Sequence, residues 1–395
     1  MRTRDFVAVR GAAATAALAC ALASADAWAV DCNTLPSPVY GIGGSAQKPL
    51  LARLGARMAA LAAPRTLIYQ APGACLGTNA IINNTRLTGT ASYWTAAGAE
   101  QTCDLPVAGQ LADYASSGTQ ATLCPGVTAL PSGLGDFEGP VTTWNFFVPV
   151  ASSQQSISTE AAYFVYGFGR EGMAAPWTDE AAIIRRDANS AAQIIVSLET
   201  GVPTERFRGV DAMTNGRSIS LVAMATNAQA AIGFASGENV DANRATVRTL
   251  AFQHTGQSCG YWPDSTATAF DKRGVRDGLY WLWTTTHFFA RTDASGAITN
   301  PLVRDFVGWF TGAVAPPAAV PILDLTIQNG NIPRCAMRVS RTRDLGPLAS
   351  FAPSEPCGCY FERVATGATT CAACTDSSAC PAGAPVCRNG YCEVN

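Results

Sequence analysis

Between residues 38 and 95 the apolar positions alternate between two periods. The short run "PVYGI" predicts a strand. After it, a helix is predicted from Ser45, with Leu50, Leu51, Leu54, Met58 and Leu61 on one face and Arg53 and Arg57 elsewhere. The strand "TLIYQ", a short helix through "LGTNAIIN" and the strand "LTGTASYW" follow in the same order. Strands separated by helical periods are the pattern of an α/β unit built on a parallel sheet.

A second unit of this kind begins at the strand "VTTWNFFVPV". It continues with the helix "STEAAYFVYGFG", the strand "AAIIRR", a helix from Ser190 ended by Gly201 and Pro203, and a strand at "SISLVAMA". Ser190 followed by Gln193 has the spacing of a capping box. Beyond Asp241 the chain is aromatic-rich and irregular, and only "VRTLAFQ" and "LYWLWTTTHFFA" read as apolar runs. Two units in one chain predict two lobes, each with its own sheet. Residues 30–147 and 251–350 form one, 148–250 the other, and 351–395 a separate Cys-rich module.

Composition sets the compartment. "MRTRDFVAVR", a small apolar run and "AWA" form a secretory signal, residues 1–29, with cleavage after Ala29. The protein is therefore expected in the periplasm or secreted. No later run is long enough to span a bilayer. The formal net charge of −2, with Lys48 and Lys272 the only lysines, excludes the basic footprint of a nucleic-acid binder and a polybasic membrane anchor. Arginine supplies nearly all the positive charge, and its planar fork suits oxyanions.

The chain has 14 cysteines, one of them, Cys20, inside the signal. In an exported protein disulfides are the default. Cys357, Cys359, Cys371, Cys374, Cys380, Cys387 and Cys392 crowd the last segment, and being odd in number they leave at least one to pair outside it or stay free. Zinc is disfavoured there, since the segment has no histidine. Cys103 and Cys124 flank a polar stretch and are expected to close it as a loop.

Three strand-to-helix turns run through small residues: "GIGGSAQ" (41–47), "APGACLGTN" (71–79) and "RRDANSAAQ" (185–193). Ligands of open α/β sheets bind at such turns, where helix N-termini present unpaired N–H groups. Gly167 to Gly172 spells a dinucleotide fingerprint, but it follows a helix, and a glycine-rich helix end explains it. The two histidines, His254 and His287, have no nucleophile turn beside them and read as structural, so no enzyme is expected.

Taken in order, "YGIGGSAQKPL", "YQAPGACLGTNAI" and "RRDANSAAQ" resemble the ligand turns of phosphate-binding proteins of bacterial ABC uptake systems. "ISTEAAYFVYGFG" and "APWTDEAAIIRRD" resemble most closely a subgroup that ends in a Cys-rich module. The resemblance spans residues 38 to about 345. It implies a two-lobed type II periplasmic-binding-protein fold, a phosphate-like anion as ligand, an ABC permease as partner, and neither cofactor nor metal. Carried onto this chain, the ligand positions are Ser45 and Ala46 in the first turn and Ala74 and Cys75 in the second. Ser117 and Gly118 fall in "LADYASSGTQ", and Arg186, Ser190, Ala191 and Ala192 in the third turn.

Several positions depart from that pattern. Ala74 stands at a hydroxyl position, Ala191 and Ala192 at a Gly-Thr pair, and Gly118 where the family has an aspartate that accepts a ligand proton. A site short of these bonds is expected to bind phosphate weakly or with altered specificity, since each charge-assisted bond contributes about 1–3 kcal/mol. The other reading is a secreted interaction or scaffold protein with a degenerate site, which binds a protein or glycan through its surface or Cys-rich tail.

Overall fold

The computed structural model describes residues 30–394; the signal segment and its cleavage point lie outside them. The first α/β unit contains β1 (Pro38–Gly43), α1 (Lys48–Ala59), β2 (Thr66–Gln70), α2 (Ala74–Ile82), β3 (Thr90–Trp94), β4 (Glu100–Asp104) and β5 (Tyr114–Ser117). Helix α1 buries Leu50, Leu51, Leu54 and Met58, the face read from the sequence. A long strand, β6 (Leu134–Pro149), leads to α3 (Thr159–Phe168), β7 (Ile183–Arg185), α4 (Ala191–Thr200), α5 (Asn215–Ala223), β8 (Ile232–Ser236) and β9 (Val247–Thr249). The chain then returns through β10 (Trp283–Arg291), α6 (Pro301–Thr311) and α7 (Ile322–Gln328) to the tail helix α8 (Gly358–Thr366).

These strands form a single hydrogen-bonded path instead of the two separate sheets expected. The order is Val30–Asp31, β4, β3, β2, β1, β5, β10, β6, β8, β7 and Val210–Asp211, with β9 pairing β6 off the path. The cause is the length of β6. Up to Thr143 it pairs with β10, and from Trp144 onward it pairs with β8. The sheet is mixed: β1, β2 and β5 are mutually parallel, as are β7 and β8, whereas β6 and β10 are antiparallel. The architecture is the expected α/β one, but on one curled sheet in which β6 joins the two groups of strands.

"SISLVAMA" is helical. It lies mostly in α5, whose buried residues Asn215, Ser218, Ile219 and Val222 recur at helical spacing. The alternation Ser-Ile-Ser had imitated a strand, but Thr214 accepts a hydrogen bond from the Arg217 N–H and starts a helix. The Ser190–Gln193 capping box is also absent. Ser190 makes no side-chain cap, and Gln193 instead accepts from the Arg186 N–H at 3.1 Å and donates to the Thr204 carbonyl at 2.7 Å. Gly169, with φ of +56°, ends α3 as a glycine-rich helix terminus should.

Six disulfides join Cys32–Cys103, Cys75–Cys124, Cys335–Cys357, Cys359–Cys371, Cys374–Cys387 and Cys380–Cys392. Cys103 and Cys124 do not pair with each other. Strand Val30–Asp31 runs beside β4 and delivers Cys32 to Cys103, while α2 carries Cys75 to Cys124. The odd tail cysteine, Cys357, does pair outside the tail, with Cys335, and Cys259 is free and exposed. Cys374, Cys380 and Cys387 gather closely because two disulfides lie side by side.

The tail is less separate than its composition suggests. Phe361 of α8 is 1% exposed and belongs to the main core with Trp144 and Phe146. The Glu393 carboxylate returns from the C-terminal hairpin to accept the Cys359 N–H at 2.9 Å and the Tyr360 N–H at 3.2 Å, which caps α8.

Candidate functional site

The three turns converge. Gly44 accepts the Tyr69 hydroxyl at 2.9 Å and donates its N–H to Ser116 at 3.2 Å, which fixes the first turn over the ends of β2 and β5. Helix α2 then packs directly against that turn, since a Cβ on Gly77 would stand 2.6 Å from the Gly43 Cα. The third turn closes on the second, with the Cys75 N–H donating to the Asn189 carbonyl at 3.0 Å.

A cavity of about 10 Å³ remains at the meeting point, bordered by Ser45, Ala46, Gln47, Ala74, Trp144, Arg186, Ser190, Ala191, Ala192 and Asn215, with Gly44 and Gly73. Seven of the ten sequence-assigned positions therefore share one site: Ser45, Ala46, Ala74, Arg186, Ser190, Ala191 and Ala192. Three do not border it. Cys75 is held in a disulfide, and its N–H is already given to Asn189. Ser117 turns its hydroxyl to the Thr119 N–H at 3.0 Å. Gly118 lies behind Trp144, where a Cβ would stand 2.5 Å from the indole.

Arg186 is 4% exposed, and its hydrogen bonds go to neutral acceptors. Nη1 donates to Asn215 Oδ1 and Nη2 to the Met213 carbonyl at 2.8 Å, while Nε has no partner. Asp211, the nearby carboxylate, pairs instead with Arg185 at 3.2 Å. Burial pushes the Arg186 guanidinium down to about 10, although the negative charges of Asp187 and Asp211 oppose it. A buried cation held only by neutral groups is the arrangement that attracts an anion.

Sequence reasoning missed three members of the site. Trp144, on β6, donates Nε1–H to Thr284 at 2.9 Å; Thr284 in turn donates to the Gly118 carbonyl at 2.6 Å, so the indole is fixed in the cleft. Asn215 joins Arg186 to Ser45, whose Oγ lies 3.5 Å from the Asn215 amide. Gln47 is 4% exposed, and neither amide atom has a partner. Gln47 ends the quoted first turn, so its position was legible; Trp144 and Asn215 carried no motif.

Both histidines are tied to carboxylates. His254 Nδ1 meets Glu199 at 2.6 Å and the ring stacks on Trp281, while His287 Nδ1 meets Asp136 at 2.8 Å.

No family model matches the chain, and no curated protein does. Solved structures do. An ABC-type phosphate transport receptor from Vibrio cholerae is 15% identical over 74% of this chain and 99% of its own, with a TM-score of 0.47. A DING protein is 14% identical over 75% and 90%, at 0.47. The reduced OxyR regulatory domain from Pseudomonas aeruginosa is 10% identical over 72% and 99%, at 0.40. Phosphate receptors are thus among the structures this chain is similar to, beside a regulatory domain of different function.

Proposed function

We propose that this chain is an extracytoplasmic solute-binding protein that takes phosphate or another small anion in its interlobe cleft, weakly or with altered specificity, and delivers it to an ABC permease. Arg186 is the observation that carries this reading: a buried guanidinium with only neutral partners, where three strand-to-helix turns meet. The lobes are assigned to residues 30–147 with 251–350 and to 148–250, and the Cys-rich module to 351–395. Six disulfides support an oxidising compartment. No helix among the described residues is long and apolar enough to cross a membrane.

The cleft as described is narrow, a cavity of about 10 Å³ with roughly the room of one water, so an oxyanion needs its walls, Trp144 among them, to move aside.

Calorimetry of the mature protein with phosphate, sulfate and chloride tests this function. Binding with a Kd of roughly millimolar, abolished by Arg186→Ala, is expected. Ala74→Ser restores a donor and should tighten phosphate by about ten-fold, one charge-assisted bond. The second reading, an interaction scaffold working through its surface or tail, is favoured by one observation: the indole of Trp144, fixed by Thr284, forms a wall of the cleft and leaves it narrow. Absence of binding by all three anions at millimolar concentration would overturn the receptor reading and leave the scaffold.

A further inference from the structure

We infer that a second site lies where α1, α7 and the tail helix α8 meet the short helix Gly237–Asp241: a cavity for a small primary amine, whose ammonium pairs with Glu238. It shares no residue with the anion cleft and does not rest on that reading.

The unpaired carboxylate is the first ground. Glu238 borders the cavity and is 4% exposed, and neither of its oxygens has a hydrogen-bond partner among the described residues. The end of α7 packs closely on it, since a Cβ on Gly330, where φ is +91°, would stand 3.3 Å from the Glu238 Cα. A buried carboxylate without partners is costly unless it takes up a proton or a cation. Burial, with the negative charge of Asp241 added, pushes its pKa up to about 7, against the opposing pull of Ser236 and Lys272. The negative charge is therefore available near neutral pH.

Charge balance is the second ground. Lys272, 1% exposed, stands 2.6 Å from Asp241 and 3.0 Å from Asp264, and Arg244 stands 2.6 Å from each of the same carboxylates. These two cations and two carboxylates cancel, so Glu238 keeps no counterion of its own. Arg53 of α1 also borders the cavity but is exposed, and water screens its charge. From α7 and α8 the cavity receives no charged side chain.

Shape and lining select the class. A volume of about 320 Å³ lies in the range of small-molecule sites, and Pro49, Phe270, Ile327, Phe361 and Val364 give it apolar walls. A primary ammonium offers N–H donors that a carboxylate accepts, and its hydrocarbon chain lies on those walls. A quaternary ammonium has no N–H to give. A metal ion wants several oxygen ligands, and the Asp241 carboxylate that would join Glu238 is spent on Lys272 and Arg244.

The test uses the mature protein and n-butylammonium chloride, with tetramethylammonium, potassium and calcium chlorides as comparisons at matched ionic strength. Calorimetry at about pH 8 should show saturable binding of butylammonium and a weaker response to the other three. From about pH 6 to about pH 8 the affinity should rise about ten-fold, because the amine stays charged while Glu238 loses its proton. Near neutral pH, binding should release protons, read as a heat that depends on the ionisation enthalpy of the buffer. Glu238→Gln, which keeps the shape and removes the charge, should abolish binding together with its pH dependence. Val364→Phe, which fills the cavity from α8, should weaken it several-fold. Absence of saturable butylammonium binding at about pH 8, or binding that persists in folded Glu238→Gln, overturns the site. Tighter binding of tetramethylammonium, potassium or calcium overturns the primary-amine class and the inference with it.

Discussion

Gly118 shows how one residue changes the meaning of a site. At this position the resembled receptors have an aspartate, and its loss looked like a loss of function. In the fold the glycine has a positive reason, because the Trp144 ring occupies the space a side chain would need. Gly118→Asp therefore should not recreate a proton acceptor. It should destabilise the protein by about 1–3 kcal/mol through overpacking, read as a lower urea midpoint, and the same substitution should cost less when made in a Trp144→Ala background, the coupling that a double-mutant cycle reads. A second residue carries a pH signature. His287 is 1% exposed; burial opposes its positive charge, but hydrogen bonds and charges from Asp136 and Asp344 prevail and push its pKa up to about 10. Since the folded value lies above the unfolded value of about 6.5, its contribution is full below that pH and is lost as pH rises through about 10. Urea unfolding across this window should show a loss of stability in the parent protein that is smaller in His287→Asn.

Among the elements, α5 and α8 have ends that decide them. Thr214 caps α5 by accepting the Arg217 N–H at 3.2 Å, so Thr214→Ala should cost about 1 kcal/mol in chemical denaturation. Asn215, the next residue, then places its amide against Arg186 and Ser45. A frayed α5 should thus also weaken anion binding, which separates this cap from a purely structural one. Helix α8 depends on a residue far along the chain, Glu393, whose carboxylate holds the first N–H groups of the helix. Strand β6 is the element that periodicity described least well. Its apolar run was legible, but nothing in it marked the change of partner at residue 143, because pairing depends on which strands arrive beside it.

For the whole molecule, the disulfide set predicts how the exported protein behaves. Mass spectrometry of the non-reduced mature chain should find Cys259 as the one alkylatable thiol among the described residues. An alkylated pair such as Cys103 and Cys124 would contradict the pairing. Legible along the chain were most of the strands and helices, with α5 the exception, the apolar face of α1, the three small-residue turns, the need for a cross-linked tail and the arginine at the third turn. These follow from local periodicity, backbone freedom at glycine and the cysteine count, all written along the chain. The rest came from packing between distant segments. It joined the strands into one path through β6, sent Cys32 to Cys103 and Cys75 to Cys124, and set Phe361 of the tail into the main core. At the site it placed Trp144 in the cleft and left Arg186 with neutral partners and Gln47 with none. Each of these is a contact between residues distant in sequence, fixed by which surfaces exclude water together and which polar atoms the packing leaves unpaired.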